Sequence, residues 1–181
     1  MKPDGEAVES IATRSRWLPM REFSQSLPMA LLRAREAVMR RFRPGLRAHG
    51  VTEQQWRILR ALADSGPLEV TALAEATFLL PPSLSRILPD MEGRGLVRRR
   101  QLDSDLRRAA VSLEAKGVRL IAEHAPESEQ AYAAITQRFG AERLAELFVL
   151  LQELESALAK ETTPAGAVPA GVKSGRKRVA R

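Results

Sequence analysis

The 181-residue sequence contains no cysteine. That absence excludes disulfides, thiolate zinc sites and thiol-based redox sensing. Histidine is nearly absent too, with only His49 and His124, and there is a single tyrosine. No nucleophile–base pair, phosphate-cradling glycine loop or metal-ligand spacing stands out, so neither catalysis nor a cofactor is expected. No apolar run approaches the length of a membrane span, and the opening MKPDGEAVES lacks the apolar centre of a signal peptide. The expected compartment is therefore the cytoplasm, with no membrane partner. No repeat of 20–50 residues is visible.

Positive charge is present in excess. The formal net charge is +7 and the isoelectric point about 10.7, which favours a polyanionic partner. The excess is uneven. KSGRKRVAR, residues 173–181, carries five cations and no acid, leaving +2 for the rest. The body must therefore be judged on local patches.

Three parts are expected. Residues 1–26 are polar and lack a clear period, and read as a flexible arm. From Thr162 the chain is rich in Ala, Gly and Pro and then basic, so 161–181 read as a disordered tail. The domain expected over 27–160 is mainly α.

Within it, Leu31, Val38, Phe42 and Leu46 recur at helical spacing over 26–50, with Ser26 as a cap and Gly50 as the stop. Thr52 and Gln55 form a capping box before a helix whose Trp56, Leu59, Leu62 and Ala63 share a face. Gly66-Pro67 breaks the chain, and Leu68–Val70 suffice for one bridge in a sheet. TALAEATF then predicts a two-turn helix with Leu73, Ala74 and Phe78 inward. PPSLSRILPDMEGRG predicts another, with Leu84, Ile87, Leu88 and Met91 toward the core.

After Gly95, GLVRRRQLDSDLRRAAVSL reads as two strands around a turn at DSD. Ala109, Val111 and Leu113 alternate with Arg108, Ala110 and Ser112, as in a half-buried strand. The order α-α-β-α-α-β-β-α-α, with a tightly linked helix pair before a basic hairpin, describes a winged helix-turn-helix over 51–116. Residues 94–108 hold six arginines against two aspartates. Such a charge density suits duplex phosphates and narrow minor grooves, although charged edge strands also occur simply to prevent aggregation.

Two long helices follow, the first marked by Val118, Ile121, Ala125, Tyr132, Ile135 and Phe139 and interrupted by Pro126, which predicts a kink. The second carries a wide stripe of Leu144, Leu147, Phe148, Leu151, Leu154 and Leu158. The winged module cannot cover both stripes. A homodimer built on 27–50 and 117–160 would bury them and present two reading heads to a palindrome; a helical bundle within a monomer is the alternative.

These features together resemble the MarR family of transcriptional regulators over residues 27–158. DSDLRRAAVSLEAKG resembles that family's D-x-R wing and the strand into the next helix. ALLRAREAVMRRFRP and TEQQWRILRALA resemble the subgroup that represses homoprotocatechuate (4-hydroxyphenylacetate) degradation operons. The resemblance implies a homodimer on a palindromic operator, responsive to a small aromatic carboxylic acid. It places Arg107 in the minor groove, oriented by Asp105, with Arg98, Arg99 and Arg108 on the same ribbon. Ser83, Ser85 and Arg86 fall at the start of the recognition helix. Hydroxyls near a helix N-terminus suit phosphate, and arginine can pair guanine bidentately. Pro89 departs from a regular recognition helix and is expected to kink or shorten it.

For the effector, Arg35 lies on the apolar stripe of the first helix, where a cation needs an anion. A ligand carboxylate could supply it, flanked by Trp56 and His49. A structural salt bridge or a snorkelling side chain are the alternatives for Arg35. A winged-helix architectural or protein-interaction module without a small-molecule switch is the alternative function.

Overall fold

The computed structural model describes residues 22–102 and 105–159, with the side chains of residues 102–108 outside that description. The tail expected over 161–181 and all but the end of the arm expected over 1–26 lie outside the described residues. A 3-10 turn at Phe23–Gln25 precedes the first helix.

The order is α1 (Leu27–Ala48), α2 (Glu53–Ser65), β1 (Leu68–Glu69), α3 (Val70–Thr77), α4 (Pro81–Gly93), β2 (Val97–Leu102), β3 (Asp105–Leu113), α5 (Ala115–Phe139) and α6 (Ala141–Ala159). This is the mainly α winged helix-turn-helix that the sequence pattern predicts. The residues divide into two units, one through Ile135 and one from Thr136.

Local signals set most boundaries. The Thr52 hydroxyl accepts from the Gln55 amide N–H at 3.2 Å, while Gln55 Oε1 accepts from the Thr52 amide N–H at 2.9 Å, a complete capping box. Ser26 behaves differently: its side chain makes no capping bond, and α1 starts on the fixed φ of Pro28. The sheet is antiparallel in the order β1-β3-β2. Leu68 pairs with Val111, and the wing register runs from Val97 opposite Leu113 to Gln101 opposite Ala109, then shifts at Leu102.

The core lies between α2, α3, α4 and the sheet. Ile58, Leu59, Leu73, Leu84, Met91 and Val111 are fully buried. Each such side chain contributes about 1.5–3 kcal/mol through loss of water contact. Two predicted inward residues point elsewhere. Ala63 is exposed, and Ile58 takes its share of the α2 face. Phe78 is 83% exposed, because it ends α3 in the left-handed region at φ 51°, which turns its side chain away from the face of Leu73 and Ala74.

Pro89 neither shortens nor ends α4, which runs on to Gly93. The missing amide costs a single backbone bond, to Ser85, and buried Leu88 and Met91 anchor the last turn on the core. Pro126 likewise lies inside an uninterrupted α5, whose buried face is Gly117, Leu120 and His124.

In the second unit, Leu147, Phe148, Val149, Leu150, Leu151 and Leu158 of α6 are all exposed. Arg143 lies over the Phe139 ring, 4.9 Å from its centroid. No helix among the described residues is long and apolar enough to cross a membrane.

Candidate functional site

Two regions carry the predicted functional residues. The first is the exposed side of the helix pair with its wing. α4 begins at Pro81, and its first turns present Ser83, half-buried, and Ser85 and Arg86, both exposed. The Ser85 hydroxyl donates to the Pro81 carbonyl at 3.1 Å and Arg86 Nε to the Pro82 carbonyl at 3.4 Å. Both side chains therefore lie back along the helix, and the terminal nitrogens of Arg86 make no ion pair among the described residues. Beside them, Phe78 and Leu80, the latter 73% exposed, put two apolar side chains on the turn between α3 and α4.

On the wing, two of the predicted cations are already paired. Arg98 meets Glu114 at 2.5 Å, and Arg99 meets Glu92 at 3.3 Å, whose other oxygen accepts from the Arg99 amide at 3.0 Å. These pairs brace the wing against α4 and the start of α5. Arg100, outside the set singled out in the sequence, is exposed and makes no ion pair among the described residues. Its signal was present as the third arginine of a run, but alternation alone does not tell which of three cations finds a carboxylate. The side chains of Asp105, Arg107 and Arg108 lie outside the described residues.

The second region is a cavity of about 340 Å³ between α1, α2 and α5. Phe42, Trp56 and Tyr132 supply rings, Val38, Met39 and Ile121 aliphatic wall, and Arg35, Arg57 and Arg60 positive charge. Phe42 and Tyr132 meet edge-on at 5.0 Å and tie α1 to α5. Apolar walls with a few convergent polar groups are the usual make-up of a small-molecule site.

The three cations are not equivalent. Arg35 donates to Glu53 Oε2 at 2.5 Å, so the structural salt bridge left open by the sequence is present. The other Glu53 oxygen meets Arg43 Nε at 2.5 Å, and Arg43 also pairs with Glu36, with one contact at 2.6 Å. Burial pushes the Glu53 carboxyl up, but the bonds from Arg43 and Arg35 outweigh it and hold the group below the ordinary value. Among the described residues Arg57 makes no ion pair with a carboxylate, and Glu53 offsets its charge only through space. Its Nη1 donates to the Thr77 carbonyl at 2.7 Å, and its Nε is buried without a partner. Burial, followed by the nearby charge of Arg35, lowers the Arg57 pKa. An anion in the cavity would relieve both effects.

Of the predicted effector residues, Arg35 and Trp56 line this cavity and His49 does not. His49 sits behind it, its ring 5.2 Å from that of His124, which in turn meets Trp56 edge-on at 4.6 Å. Arg57 was missed because its helical position alone does not distinguish a solvated arginine from a half-buried one.

A model of the MarR family matches residues 49–108. Over 128 residues the chain is 44% identical to the homoprotocatechuate degradative operon repressor of Escherichia coli, spanning 71% of this chain and 86% of that one. The structure of NadR in complex with 4-hydroxyphenylacetate is 39% identical, with a TM-score of 0.65, covering 80% of this chain and 99% of that one. The repressor CouR, solved bound to a 23-mer DNA duplex, is 27% identical, with a TM-score of 0.68 and coverage of 76% and 98%. With the helix pair, the three-stranded winged sheet and this identity in agreement, the chain belongs to the MarR family of winged helix-turn-helix transcriptional regulators, which bind DNA as dimers.

Proposed function

We propose that the protein is a cytoplasmic repressor of an aromatic-acid catabolic operon, released from a palindromic operator by an aromatic carboxylate of the 4-hydroxyphenylacetate class. It acts by binding and not by catalysis. The observation that carries the reading is the ring-lined, arginine-bearing cavity with an Arg57 whose Nε is buried without a partner. A benzene ring suits the walls of Phe42, Trp56 and Tyr132, and a carboxylate suits the guanidinium side. The similarity to a homoprotocatechuate operon repressor and to a protein solved with 4-hydroxyphenylacetate supports the same ligand class.

In this reading α4 enters the major groove with Ser83, Ser85 and Arg86 at its leading end, and the wing lies along the backbone with Arg107 in the minor groove. Arg98, Arg99 and Arg108 serve the ribbon's charge, and Arg100, exposed and without an ion pair among the described residues, joins them. The exposed apolar side chains of α6, and Leu27, Leu31 and Leu32 on α1, suit burial in the homodimer.

The decisive test is a footprint over the gene's own upstream region, with and without 4-hydroxyphenylacetate and its catechol. A protected palindrome that opens with either acid is the expected result. A palindrome insensitive to both acids, at concentrations that calorimetry shows do not bind, would leave an operator-binding protein and remove this effector class.

A further inference from the structure

We propose that His49, His124 and Glu127 form a binding site for one divalent transition-metal ion of the zinc class, where the end of α1 meets α5. These are the chain's only two histidines, far apart in sequence, yet the fold brings their rings together edge-on, 5.2 Å apart. The ligand atoms of the three residues lie within 4.8 Å of one another. One carboxylate oxygen, Glu127 Oε2, stands 3.6 Å from His49 Nε2 and 3.4 Å from His124 Nδ1. Those separations are too long for good hydrogen bonds. They are close to the roughly 3.3–3.4 Å edge of a tetrahedron whose centre is about 2.0–2.1 Å from each nitrogen and oxygen, and the two imidazoles, whose ligand atoms lie within 4.8 Å of each other, would close to about that edge on binding.

Burial adds an independent observation. The His124 side chain is 1% exposed, and both its ring nitrogens are buried without a hydrogen-bond partner, as is His49 Nε2. Orphaned buried polar atoms are costly, and a metal ion would satisfy two of the three at once.

Gly45 shapes the same spot. A Cβ there would stand 2.5 Å from Glu127 Oε2 and 2.7 Å from the His124 ring, so only glycine lets α1 approach this closely. A neighbouring open cavity of about 380 Å³ reaches His124 and Glu127 and leaves room for water to complete the coordination. Two imidazoles and a carboxylate match zinc, cobalt or nickel better than calcium or magnesium, which prefer all-oxygen sets.

The test uses the full-length dimer, free of any polyhistidine tag and stripped with chelator. Cobalt is titrated while visible absorption is recorded, then displaced with zinc, and zinc binding is measured by calorimetry. One ion per chain and the intense absorption of low-coordinate cobalt are expected. Glu127→Gln should weaken zinc binding at least about tenfold and His49→Ala should abolish the cobalt band. Both positions are partly exposed, so these variants keep the test open where a change at buried His124 could unfold the protein. The absence of both heat and absorption in excess metal overturns the site. So does unchanged zinc affinity in the folded Glu127→Gln and His49→Ala proteins.

Discussion

Replacing Arg57 by glutamine should damage effector binding more than the same change at Arg35, although both arginines line the cavity. The difference follows from what each cation already holds. Arg35 spends its charge on Glu53 at 2.5 Å, so an incoming carboxylate competes with one already bound. Arg57 holds only the Thr77 carbonyl and has a buried Nε without a partner. Removing one partner of a desolvated charge pair costs about 2–5 kcal/mol. Solvent reaches part of this guanidinium, so the lower end applies. A loss of about 2 kcal/mol is a roughly thirtyfold rise in Kd. For Arg35→Gln the loss should stay under about 1 kcal/mol, because the Arg35 charge is already offset by Glu53, which Arg43 goes on holding in the variant. Calorimetry with 4-hydroxyphenylacetate measures both, and repeating it with the neutral amide isolates the carboxylate contribution as a double-mutant cycle. If Arg35→Gln costs the acid more than Arg57→Gln does, the assignment of the anion to Arg57 is wrong.

Three further outcomes are expected. Arg107→Ala should weaken operator binding by about 1–3 kcal/mol in a mobility-shift titration at physiological salt, and unchanged affinity removes the minor-groove role. Deleting residues 162–181 should leave the footprint in place and flatten the log–log salt dependence by up to about 4.5, from five cations at about 0.9 each. A tail that only solubilises leaves the slope unchanged. Phe78→Asn should raise stability by about 1 kcal/mol, since asparagine tolerates the left-handed backbone and the ring is exposed. A lowered Tm in a thermal melt contradicts that account.

The sequence conveyed what depends on near neighbours. The Thr52–Gln55 box, the inward Val111 of β3 and most of the apolar rows of α2 and α4 are written within a few residues, and the structure has them. What it did not convey depends on partners brought from elsewhere. Nothing local to Arg98 or Arg99 names Glu114 or Glu92 as the acids that pair with them. Phe78 has the spacing of a core residue, and only the turn needed between α3 and α4 sends it outward. Pro89 carries a local signal to kink or end its helix and Pro126 a signal to kink, and both helices run on past these residues. His49 and His124 offered no ligand spacing because their approach is made by the crossing of α1 and α5.

The same partners show how a ligand in the cavity can act on the reading head. α2 carries the cavity wall and is bonded to both helices of the DNA-binding pair. Gln55 Nε2 donates to Asp90 of α4 at 2.8 Å, and Arg57 donates to Thr77 at the end of α3 at 2.7 Å. The Arg57 bond closes the last turn before the link into α4, which begins at Pro81. In the proposed reading, a carboxylate that draws Arg57 toward the cavity competes with that carbonyl. A hydrogen bond to a charged group contributes about 1.5–3 kcal/mol. A hundredfold change in operator affinity requires about 2.7 kcal/mol of differential binding between the two states. One guanidinium shared between ligand and helix end is therefore of the right magnitude to set the switch, provided the ligand binds more tightly to the state in which the Thr77 bond is lost. No long chain of intermediates is needed, because Arg57 touches the cavity and the end of α3 at once.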